Sequence, residues 1–92
     1  MEKLINRSYQ ALIDRNKIIP NKTNTADFIL KMGEELKEIE SAYLKEGEQR
    51  TFEEIRQLMT VCIMCLHHNA FNPLDEFEKE VILNEYRAIH NK

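Results

Sequence analysis

The stretch FILKMGEELKEIESAY, Phe28 to Tyr43, decides how the chain reads, because its glutamates do not all keep to one side. At about 100° per residue, Phe28, Met32, Leu36, Ile39 and Tyr43 form one apolar stripe of an α-helix. Glu35 falls inside that stripe, between Met32 and Ile39, and Glu38 sits at its edge. Glu34, Lys37 and Glu40 lie outside it, as a solvated face requires. A carboxylate aimed at a core loses hydration and demands a partner.

Working outward, only Gly33, Gly47, Pro20 and Pro73 punctuate the chain, and no segment alternates apolar with polar residues long enough for a strand. Leu4, Ile5, Tyr9, Leu12 and Ile13 repeat at helical spacing, which predicts a first helix ending near Arg15. NKIIPNKTNT follows as an extended loop, since Pro20 pushes Ile19 out of helical geometry. The second helix is expected from Thr25 or Ala26, capped by Asn24 or Thr25, to about Lys45. A third is expected from Phe52 to about His68, with Ile55, Leu58, Met59, Cys62 and Leu66 on one face. Asn72 caps a fourth, with Pro73 at its first position, running to about Ile89. The short connection KEGEQR makes helices two and three antiparallel neighbours. The expected fold is all-α, a single domain over residues 1–92.

The totals set limits on function. With 92 residues the core is modest, and a second copy would enlarge it. Apolar content of 42% with 32% charged residues fits a folded, charge-rich helical protein. A net charge of −3 is the wrong sign for a non-specific nucleic-acid binder. No apolar run approaches the roughly 20 residues of a membrane span, and no export signal is legible, so a cytoplasmic protein with reduced Cys62 and Cys65 is expected.

The third helix repeats the oddity of the second. In TFEEIRQLMTVCIMCLHH, Glu54 has Leu58 and Val61 at i+4 and i+7, so it leans inward, and Gln57 stands one turn on at the boundary. Antiparallel packing would gather Glu35, Glu38, Glu54 and Gln57. Such a cluster repels itself unless a cation is held, and a hard divalent ion such as Mg²⁺ takes carboxylate oxygens. Two plainer readings compete. Thr51-x-x-Glu54 also has the form of a capping box, and Glu35 with Glu38 has the spacing of an exposed helical pair.

At this point the pattern resembles that of MazG-like nucleoside triphosphate pyrophosphohydrolases. EELKE (Glu34 to Glu38), then 15 residues, then Glu54-x-x-Gln57 is similar to the family's EExxE…ExxD signature. IDRNKIIPNKTNTADFILKMGEE, CLHHNAFNP and Asn84-Glu85-Tyr86-Arg87 resemble its flanking loop, the end of its third helix and its fourth-helix asparagine and arginine. The resemblance implies an all-α helical bundle completed by homodimerisation, or a dimer of dimers. It also implies Mg²⁺-dependent (or Mn²⁺-dependent) hydrolysis of a nucleoside triphosphate to monophosphate and pyrophosphate, as a nucleotide-pool housecleaning enzyme. Carried over by position, Glu35, Glu38 and Glu54 are the catalytic metal ligands, with Gln57 beside them. Lys31, Asn84 and Arg87 become candidate substrate contacts, with Lys79 a weaker one. Gln57 departs from the pattern, where the family has aspartate; its amide oxygen can ligate but brings no charge. That departure motivates an alternative, a catalytically degenerate nucleotide-binding or helical assembly protein.

Other constellations carry less. Cys62-x-x-Cys65 with His67 and His68 lacks a second, separated ligand pair for zinc, so the cysteines read as small core residues. His68 shares the flank of Gln57, which suggests a supporting role near the site. A di-iron bundle would need Glu-x-x-His pairs, which are absent from the sequence.

Overall fold

The computed structural model describes residues 2–90. Four helices account for most of them: α1 (Glu2–Asp14), α2 (Thr25–Lys45), α3 (Glu48–His68) and α4 (Pro73–His90). Among the described residues there is no strand, so the all-α expectation holds.

Local chemistry sets the helix ends. At the start of α2, the Asn24 side chain accepts from the Asp27 amide (3.0 Å) while the Asp27 carboxylate accepts from the Asn24 amide (2.9 Å). That reciprocal pair is a capping box, with Asn24 as the cap. Asn72 does the same work for α4, accepting from the Leu74 and Asp75 amides, with Pro73 at the first helical position.

Two helices end in left-handed residues. Asn16 (φ 59°) closes α1, where the Lys17 amide bonds back to Leu12 and the Asn16 amide to Ile13. Ala70 (φ 65°) closes α3 in the same manner, with Phe71 bonded to Leu66 and Ala70 to His67. A Cβ is disfavoured there, so Ala70→Gly should stabilise the fold by about 0.5–1 kcal/mol, raising the melting temperature by about 2–8 °C. An unchanged or lower midpoint in a thermal scan would contradict this.

The start of α3 departs from expectation. The helix begins at Glu48 rather than Phe52, because Gly47 (φ 97°) reverses the chain in a two-residue connection. Thr51 therefore lies inside the helix, where its hydroxyl donates to the Gly47 carbonyl at 2.8 Å. It caps nothing, and Glu54 is not held in a capping box.

The faces also differ from the sequence stripes. On α2 the buried residues are Phe28, Glu35 and Ala42, seven apart, whereas Leu36 and Tyr43 are exposed. On α3 they are Thr51, Glu54 and Met64, whereas Ile55 and Met59 are exposed. The core joins Ile5, Ile18, Phe28 and Met64, with Tyr9, Leu12, Met32 and Val61 packed against it. It therefore sits between α1, the α1–α2 loop and one side of the α2–α3 hairpin.

His68 ties these parts together. Its Nε2 lies 2.7 Å from the Thr23 carbonyl, which can only accept, so Nε2 carries the proton and donates. Nδ1 then accepts from the Tyr9 hydroxyl at 2.7 Å, and the ring lies 5.3 Å from that of Phe28. The residue locks α3 to α1 and to the loop; its ring nitrogens are committed to structure.

The fourth helix buries none of its residues and, among the helices, packs only against α3. The radius of gyration is 15.5 Å, against about 12 Å for a compact domain of this length. One chain leaves much apolar surface in water.

Candidate metal centre

Glu35 comes from the middle of α2 and Glu54 from the first half of α3, and both face the seam of the hairpin. They are 3% and 2% exposed, far below what a glutamate accepts without a partner. One carboxylate oxygen of each is satisfied from its own helix. Lys31 Nζ lies 3.2 Å from Glu35 Oε1, and Arg50 Nη2 lies 2.6 Å from Glu54 Oε1. The other oxygen of each, Glu35 Oε2 and Glu54 Oε2, is buried without a hydrogen-bond partner. Burying such an atom costs about 1–3 kcal/mol, more when it is charged.

Glu38, exposed and one turn beyond Glu35, completes a cluster in which one oxygen from each of Glu35, Glu38 and Glu54 lies within 4.8 Å of the others. Oxygens sharing one Mg²⁺ at 2.0–2.1 Å stand at most about 4.2 Å apart, so a small side-chain rotation would close the set. Hard oxygen donors, net negative charge and two unsatisfied buried oxygens together suit a divalent cation. The inward placement of both glutamates is as expected from sequence, although the face that carries them is narrower than the apolar stripe.

Gln57 is exposed and lines a groove of about 800 Å³ beside the cluster. Glu35 and Lys31 line the same groove, so carboxylate cluster and cavity share a wall. Ile18, Phe28, Val61 and Met64 supply apolar lining, and the positive charge of Arg15, Lys17 and Lys31 is matched by the carboxylates of Asp27, Glu34 and Glu35. The volume lies in the range of small-molecule sites. Lys31 has its pKa raised, chiefly by its hydrogen bond to Glu35, so it remains a cation.

The remaining candidates lie elsewhere. Asn84 and Arg87 sit on α4 and do not line the groove of their own chain; Arg87 donates to Asn84 at 3.5 Å. Lys79 pairs with Glu76. Cys62 and Cys65 are free and half-buried; Cys65 packs against the core, where burial raises its thiol pKa. Arg50 is the site residue that sequence reading missed. Its spacing of four before Glu54 was visible, but such pairs are common on solvated helix faces. No family model, curated protein or solved structure matches the chain.

Proposed function

We propose that the chain is a MazG-like, Mg²⁺-dependent pyrophosphohydrolase that cleaves a nucleoside triphosphate between its α and β phosphates. The observation that carries this reading is the pair of buried glutamates from adjacent helices, each with one oxygen unpartnered. Three carboxylates converging beside a groove that carries Arg15, Lys17 and Lys31 among its charged residues suit a metal-chelated polyphosphate better than a neutral ligand. Water adds its oxygen to the α phosphorus, the bond to the bridging oxygen breaks, and pyrophosphate leaves. A bound divalent ion would neutralise phosphate charge and make a water more acidic. Glu35, Glu38 and Glu54 would hold that ion; Lys31, Arg15 and Lys17 would meet the phosphates; Phe28, Ile18 and Val61 would pack against the base. The test is pyrophosphate release across ribo- and deoxynucleoside triphosphates with Mg²⁺ or Mn²⁺. No release from any of them would remove the enzyme reading. Binding without turnover would favour the degenerate relative, for which Gln57 is the specific ground.

The same reading makes the active form a homodimer or a dimer of dimers. Leu36 follows Glu35 by one residue and Ile55 follows Glu54 by one. In antiparallel helices those equal rotations lead to the same side of the hairpin, opposite the groove. Ile29, Leu36 and Tyr43 of α2 and Phe52, Ile55 and Met59 of α3 are exposed along it. Phe77, Ile82, Tyr86 and Ile89 add exposed apolar surface on α4. Patches this broad mark association surfaces. Asn84 and Arg87 would reach a groove only across such an interface. Light scattering should give at least twice the 11.0 kDa chain mass. A monomer at micromolar concentration would contradict the dimer.

A further inference from the structure

Each inward glutamate stands in the same arrangement. A cation four residues earlier, Lys31 or Arg50, holds its Oε1, while its Oε2 is buried and unpartnered. Each cation also reaches a second, more exposed glutamate: Lys31 is 3.5 Å from Glu34, and Arg50 Nη1 donates to Glu53 at 3.0 Å. The guanidinium therefore has somewhere to go if it leaves Glu54. We propose that Arg50 is a resident counter-cation of the cluster, which competes with a divalent ion for Glu54 and is released onto Glu53 when the ion binds. This rests on reading Glu35, Glu38 and Glu54 as a cation site.

The charge balance gives the reason. Three carboxylates within 4.8 Å repel one another, and Lys31 and Arg50 offset that repulsion while no ion is held. A divalent ion does the same work at shorter range and takes an oxygen of the same Glu54 carboxylate, so a guanidinium left in place would repel it and weaken its hold. Glu53 makes the release inexpensive, since Arg50 keeps its Nη1 bond to that carboxylate when Nη2 gives up Glu54. Among the two cations Arg50 isolates this role, because Lys31 lines the groove and Arg50 does not.

The experiment compares the full chain with Arg50→Gln, Arg50→Lys and, as a control, Arg56→Gln, without nucleotide. Calorimetric titration with Mn²⁺ and thermal melting with and without Mg²⁺ are the readouts. Arg50→Gln should lower the ion-free melting temperature, bind Mn²⁺ about threefold to tenfold more tightly, and show a larger ion-induced rise in melting temperature. Arg50→Lys and Arg56→Gln should stay near the parent. A variant destabilised equally with and without ion, and binding Mn²⁺ no more tightly, would reduce Arg50 to an ordinary ion pair and overturn the proposal while leaving the cation site intact. If neither the parent nor Arg50→Gln responds to either ion, the cation site itself is refuted and the proposal with it.

Discussion

On the proposed function, Mg²⁺ or Mn²⁺ should raise the melting temperature, and Glu54→Gln should abolish that rise and reduce pyrophosphate release by about 100-fold or more. The amide keeps size and hydrogen-bonding capacity but removes the charge by which the buried oxygen would hold a cation. Glu35→Gln should behave alike, since its oxygen is equally buried and equally unpartnered. Without ion, neither variant should melt below the parent, because a half-satisfied buried carboxylate is exchanged for a neutral group. Arg50 and Lys31 are not stranded, as each retains a second glutamate. Glu34→Gln is the internal control. Glu34 is one residue from Glu35 but its side chain is 65% exposed, so its loss should leave the ion response intact. Equal behaviour of Glu34→Gln and Glu35→Gln in melting scans would mean that inward placement has no bearing on cation binding.

The contrast between those neighbours was legible in the helical period, as were the four helices themselves. Capping chemistry placed the starts of α2 and α4, because Asn24 and Asn72-Pro73 act within a few residues of where they stand. The start of α3 was not legible. Gly47 reverses the chain without a side-chain cap, and Thr51 imitates a cap one turn inside the helix. The apolar stripes misled in a more instructive way. A hydrophobic period records every face that leaves water, whether it is covered by the same chain or not. Leu36, Tyr43, Ile55 and Met59 belong to the stripes yet stay exposed, while Glu35 and Glu54 lie on the faces that pack. Two adjoining apolar faces, one packed within the hairpin and one exposed, merge into a single stripe in the sequence. The partners of the buried carboxylates were hidden for another reason: i−4 pairs with Lys31 and Arg50 look the same on a wet face as on a dry one.

Gln57→Asp should lower the Mg²⁺ concentration needed for half-maximal pyrophosphate release by about tenfold, equivalent to about 1.4 kcal/mol of ion binding. Gln57 lies one turn after Glu54 and lines the same groove as Glu35 and Lys31, so a carboxylate there adjoins the cluster. Hard cations respond chiefly to the charge of their ligands, and the change adds a fourth acidic side chain. Because Gln57 is exposed, the new carboxylate has no burial cost of its own to recover. Its cost is repulsion from the three already present, which should lower the ion-free melting temperature and enlarge the ion-induced rise. Aspartate is one methylene shorter than glutamine, so Gln57→Glu supplies the matching test of reach. If both variants bind Mn²⁺ no more tightly than the parent in calorimetry, position 57 faces the groove without serving the ion. If they bind it more tightly yet release no pyrophosphate from any nucleotide, the reading of a catalytically degenerate nucleotide-binding or assembly protein overtakes the enzyme, and the missing charge is not what stops catalysis.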